Sequence, residues 1–202
     1  ILAGEMLGRV ISARCILATP ETLDVAKTNY RLSYDTGGGI IYDYTHELDY
    51  CRMLFGEAKE VFAFCGCYLH KAKSVDDSAD MLIRYRNGVV LTLHMDYIQR
   101  VGRAGSGRSF EIICEKGVLA CDFHSVRIDK NDGEHEEFLF DMDWNQAFSK
   151  QAERFVRLCR GEGKIPHASG EDGLQALELA DALYYSARKG ILVQRDQKKR
   201  EV

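Results

Sequence analysis

Within residues 37–56 the chain reads GGGIIYDYTHELDYCRMLFG, which sets Asp43, His46 and Asp49 at intervals of three. An imidazole with an ordinary pKa near ~6.5 takes and returns a proton at neutral pH. A carboxylate beside it orients the ring or the group that gives the proton up. Residues three apart share one stripe of a helix, so the spacing alone brings the three side chains to one surface. Proton transfer at an alcohol or carbonyl is the chemistry this suits. No side chain accepts hydride, so oxidising an alcohol here requires a nicotinamide from outside the sequence. The alternative is structural: Asp43 caps a helix and His46 is an ordinary satisfied residue.

A helix must position these groups. Ile40, Ile41, Tyr44, Leu48, Cys51, Leu54 and Phe55 recur at helical spacing and Gly56 ends the pattern, which predicts one helix over residues 40–55. Three glycines before it permit positive φ and close approach of a ligand or another segment. The helix start adds free N–H groups and partial positive charge. Gly38 and Gly39 are therefore the cofactor-binding candidates, Asp43 and His46 the catalytic ones, and Tyr44 and Asp49 the neighbouring substrate-binding ones.

Around this helix the pattern is mostly sheet. Residues 9–17 read as a strand, and from Glu60 the period becomes two, with Val61, Ala63, Cys65 and Cys67 on one face. Asn87-Gly88 suits a two-residue turn with positive φ at both centres, so residues 80–97 are expected to form a hairpin. Glu115-Lys116-Gly117 and Asp132-Gly133 extend an antiparallel meander to residue 140. The helical period returns at Trp144, Phe148, Phe155 and Leu158, then from Leu174 to Ala187, with Ser169 as cap and Gly190 as stop. Strands and helices in separate blocks predict an α+β fold, a largely antiparallel sheet with helices on one face, and residues 1–202 forming a single domain. Apolar residues on both faces of a strand, as in Val118 and Ala120 beside Leu119 and Cys121, imply that the open sheet face meets a partner.

Two weaker candidates lie in the sheet. Arg100, Arg103 and Arg108 fall between two strands, where they form either a clamp for an anionic substrate group or an exposed loop. His94 alternates with Thr92 and Asp96 opposite Leu91, Leu93 and Met95, so it faces water or a substrate cleft. His70, His124, His135 and His167 lack companions at metal-ligand spacing, and Cys65-Gly-Cys67 lacks a second pair, so no metal is expected.

Composition narrows the classes further. With 202 residues, 46% of them hydrophobic, the chain can bury a sizeable core. A net charge of −4 gives no electrostatic reason for nucleic acid or an anionic membrane as partner. An odd number of scattered cysteines, seven, suits reduced thiols, and with no targeting segment in view the expected location is the cytoplasm.

The run GGG, three residues, Asp, a short gap, His, two residues, Asp, then a helix ending Leu-Phe-Gly, is similar to the signature of the Gfo/Idh/MocA oxidoreductases. Leu7-Gly8-Arg9-Val10 resembles that family's entry to the substrate domain, and Asp172-Gly173-Leu174 through Ser186 resembles its terminal helix. The resemblance implies that His46 is the acid/base and that Asp43 binds and polarises a sugar, polyol or sugar-derived hydroxyl. It implies NAD or NADP as cofactor, held mainly by an N-terminal nucleotide-binding domain, and a homo-oligomer through the open sheet face. One departure stands out: the family's usual gap places His four residues after Asp, here three, a difference of about 100° around a helix. No nucleotide fingerprint is present, because Gly102, Gly105 and Gly107 are spaced G-x-x-G-x-G rather than G-x-G-x-x-G. By itself this chain is expected to bind NAD(P) weakly and to be inert. The rival expectation is a non-catalytic dimerisation or binding module with the same fold, and lyase or glycosidase chemistry is a third.

Overall fold

The computed structural model describes residues 6–19, 30–69, 75–98, 108–122, 124–141, 143–162 and 168–195. Nine strands form one sheet: β1 (Val10–Ala18), β2 (Ala58–Gly66), β3 (Ser78–Tyr85), β4 (Val90–Asp96), β5 (Arg108–Cys114), β6 (Gly117–Cys121), β7 (Ser125–Lys130), β8 (His135–Leu139) and β9 (Val193–Gln194). Their order is β8-β7-β6-β5-β1-β4-β3-β2-β9. Only β1 and β4 run parallel, in register from Ser12 opposite Val90 to Ala18 opposite Asp96; the other pairs in the described sheet are antiparallel. The first strand thus sits at the centre, between the two parts of the meander.

Alternation along the strands separates two faces. Ala13, Cys15 and Leu17 of β1, Ala79, Met81 and Ile83 of β3, and Leu91, Leu93 and Met95 of β4 are buried on one of them. Over that face close α1 (Ile40–Asp43), α2 (Thr45–Phe55) and α4 (Gly170–Lys189), contributing Leu48, Cys51, Phe55, Leu179 and Leu183 to the same core. Ser169 and Asp172 form a reciprocal capping box at the start of α4, and Gly190 ends it at φ 64°. The remaining helix, α3 (Trp144–Cys159), is capped by Asp143 but buries none of its residues, and Trp144, Phe148 and Phe155 form an exposed stripe along it.

Two local expectations are corrected. The helix foreseen over residues 40–55 is broken at Tyr44, whose φ of −110° and ψ of 38° belong to neither segment. Its N–H still bonds Ile40 and its carbonyl accepts from Glu47, so the backbone stays satisfied through the break. Both segments bury the same side, which is why the apolar period runs through it. The hairpin at Asn87-Gly88 is present, but its loop comprises residues 86–88: Gly88 N–H bonds the Tyr85 carbonyl, Tyr85 N–H bonds Val89, and Gly88 has φ 93°. Such a three-residue loop needs the left-handed residue only at its last position.

Candidate active site

Asp43 ends α1 with its side chain only 4% exposed. Tyr30 Oη donates to its Oδ1 at 2.6 Å, while Arg31 Nε at 2.8 Å and Tyr97 Oη at 2.6 Å donate to its Oδ2. Tyr97 follows β4 and the other two donors precede the glycines, so this carboxylate ties three segments together. Burial first, then the bond to Asp43, pushes the Tyr97 hydroxyl upward and keeps it a donor.

The glycines serve the same construction. A Cβ on Gly38 would lie 2.6 Å from the backbone of Arg31, and one on Gly39, at φ 101°, would lie 2.5 Å from Tyr184 Oη and 2.6 Å from Asp76 Oδ1. Beside the Cα atoms of Gly38 and Gly39 the chain itself fills the space a side chain would need. Asp76 is buried there and accepts from Tyr34 Oη, Tyr184 Oη and the Ile40 N–H.

His46 is the second residue of α2, beyond the break at Tyr44. Its side chain is 54% exposed. The ring sits 5.2 Å from that of Tyr44, and Nε2 lies 3.5 Å from both Arg108 Nη2 and Glu47 Oε1. Arg108 opens β5, with its guanidinium 5.8 Å from the Tyr44 ring centroid and its Nε 3.1 Å from Glu47 Oε1. Burial and the Arg108 charge lower the pKa of His46, opposed by Asp43, so the imidazole is neutral at pH 7. Glu47 is fully buried, and burial pushes its carboxyl up to about 7 against the pull of Arg108.

The other candidates fall elsewhere. Tyr44 is buried, and its hydroxyl accepts from Thr19, so it braces His46. Asp49 lies 3.4 Å from Arg52, which also bonds Glu57 and Asp172 and so links α2 to α4. His94 projects from the open sheet face, opposite the side that carries His46, between Asp80 Oδ1 at 2.7 Å and Asp96 Oδ2 at 2.8 Å. Burial opposes its charge, but the two carboxylates outweigh it and raise its pKa. Arg100 and Arg103 lie outside the described residues. Tyr30, Arg31, Tyr97 and Glu47 escaped sequence reasoning. Only Glu47 carried a signal, a carboxylate on the apolar stripe shared by Tyr44 and Cys51.

Residues 1–120 match the family described as the GFO/IDH/MocA C-terminal domain. The chain belongs to the GFO/IDH/MocA family. A relative, D-apiose dehydrogenase from Paraburkholderia graminis, is 27% identical over 161 residues, covering 74% of this chain and 42% of that protein. The fold is shared with levoglucosan dehydrogenase in complex with NADH and levoglucosan, at a TM-score of 0.83 and 21% identity over 97% of this chain and 61% of that one. WlbA dehydrogenase from Bordetella pertussis, in complex with NADH and UDP-GlcNAcA, gives 0.75 at 19% identity over 98% and 58%. This GFO/IDH/MocA chain thus spans less than two thirds of each of these relatives.

Proposed function

We propose that this chain is the substrate-side domain of an NAD(P)-dependent oxidoreductase acting on a sugar, polyol or sugar-derived hydroxyl, with His46 as its acid/base. The observation that carries this reading is a half-exposed imidazole, 3.5 Å from Arg108 and within the field of the anchored Asp43, in a chain whose relatives and structural neighbours include D-apiose and levoglucosan dehydrogenases. NAD or NADP, held mainly by the part of the longer protein that this chain does not span, supplies the hydride acceptor. His46 takes the hydroxyl proton as the alcohol is oxidised and returns it in the reverse direction. Asp43 holds Tyr30, Arg31 and Tyr97 in place and adds negative charge that favours the protonated ring. Arg100 and Arg103 are the candidates for holding anionic groups of a substrate.

Residues 1–202 serve in this reading as one substrate-binding and dimerisation domain, inert by itself. Exposed Ile16, Phe64 and Leu82 on the open sheet face favour a second copy as its partner. All seven cysteines are free, which suits the cytoplasm.

The test is to assay the longer protein with a panel of polyols, sugars and nucleotide sugars. His46→Ala is expected to lower turnover about 10²–10⁴-fold, the usual contribution of a positioned acid/base. Asp43→Asn is expected to lower it less while loosening the segment around Tyr30. Full turnover by His46→Ala contradicts the assignment.

A further inference from the structure

The acid/base reading leaves Glu47 unexplained. It is 0% exposed, and neither carboxylate oxygen accepts an aligned hydrogen bond among the described residues. Burying a carboxylate this way is costly, and apolar residues fill such positions more cheaply. The groups facing it are Arg108 Nε from β5 at 3.1 Å, His46 Nε2 at 3.5 Å, the Cys15 thiol of β1, which feels its charge, and Cys51 one turn along α2. His46 in turn faces Arg108 Nη2, the charge of Asp43 and the Tyr44 ring.

We propose that Glu47 and Arg108 are positioning residues for His46 and decide which of its ring nitrogens carries the proton. The inference rests on the acid/base role of His46. Both side chains reach Nε2, but they ask opposite things of it. A carboxylate accepts from Nε2–H, whereas a guanidinium only donates and so bonds an Nε2 that carries no hydrogen. With Nε2–H held by Glu47, the bare Nδ1, which makes no hydrogen bond among the described residues, is the atom that takes a hydroxyl proton. One O–H bond breaks and one Nδ1–H bond forms, and the Glu47 carboxylate stabilises the resulting imidazolium through Nε2–H. With Nε2 bonded to Arg108 the proton sits on Nδ1 and the ring has no lone pair for the substrate. The Glu47 carboxyl, pushed up by burial to about 7, places the choice in the neutral range.

Long-range imidazole proton–nitrogen correlation spectra of the ¹⁵N-labelled chain report the tautomer directly, and His46→Ala identifies its signal among the six histidines. In the wild type the Nε2–H form is expected to predominate at about pH 8 and give way to Nδ1–H as pH falls through about 7, while the ring is still neutral. Glu47→Gln should abolish that pH-dependent exchange. Arg108→Gln, at a side chain 21% exposed, should raise the ring's pKa, since a neighbouring cation is gone, and move the tautomer exchange to higher pH, since Glu47 loses the charge that held its carboxyl down. If Glu47→Gln does not fold, Arg108→Gln carries the test. A wild-type tautomer ratio indifferent to pH, or variants that titrate like the wild type, overturns the proposal. Neither cofactor nor substrate enters the measurement, so its failure is distinct from failure of the oxidoreductase reading, which shows as undiminished turnover by His46→Ala.

Discussion

At Gly39 two constraints coincide: a φ of 101°, and a space beside Cα already filled by Tyr184 Oη and Asp76 Oδ1. Gly39→Ala is therefore expected to cost at least ~2 kcal/mol in urea unfolding. At Gly37, φ 83° with nothing within 4 Å, the same change should cost only about 1–2 kcal/mol of backbone strain. Equal losses at the two positions contradict the close-approach explanation. Glu47 carries a pH signature. Burial favours its neutral form, so the folded chain holds a proton that the unfolded chain releases, and stability falls as pH rises from the unfolded value of 4.5 through about 7. Glu47→Gln removes that ionisation. Its advantage over the wild type should grow with pH, to roughly 3 kcal/mol above pH 7, read from urea midpoints at about pH 5 and pH 8. A difference that does not change with pH contradicts this. The glycine run, Asp43 and His46 were legible because residue type and spacing announced them. Arg31, Tyr30 and Tyr97 were not, because their partner is reached only when three separate segments meet.

The elements divide in the same way. The capping box of α4 is local: Ser169 Oγ accepts from the Asp172 N–H, and Asp172 accepts from the Ser169 N–H. Ser169→Ala should lower stability by about 1 kcal/mol without altering any property of His46, measured by thermal unfolding and by the ring's titration. Such caps, the Gly190 stop and the β3–β4 hairpin are written in a few adjacent residues, and sequence reading found all three. The break at Tyr44 was not readable, because an apolar residue suits a continuous helix and a kinked one equally. The parallel pairing of β1 with β4 was hidden too. It sets the order β5-β1-β4, and that order carries Arg108 to His46 at the start of α2 and Tyr97 to Asp43 at the end of α1. The faces of β4 explain His94: its alternation with Leu93 was clear, but which face met the helices was decided by the packing of Leu91, Leu93 and Met95.

Across the molecule, the helices α1, α2 and α4 cover one sheet face and leave the other to Ile16, Phe64 and Leu82, all at least 44% exposed, among Arg14, Glu111 and the His94 cluster. No helix among the described residues is long and apolar enough to cross a membrane. If the open face meets a second copy, Leu82→Glu or Phe64→Glu should convert dimers to monomers in light scattering at micromolar concentration and leave thermal unfolding of the dissociated chain nearly unchanged. A wild type already monomeric under those conditions contradicts the dimer. The central claim concerns the proton on His46. The most direct test is the pH profile of kcat/KM for alcohol oxidation by the longer protein and its His46→Ala variant. The wild type should lose activity as pH falls, first through about 7, where Glu47 takes up a proton and His46 changes tautomer, and then below 6.5, where the lowered His46 itself titrates; the variant should lack both limbs with turnover reduced about 10²–10⁴-fold. The same limbs and rate in both proteins would show that His46 is not the base.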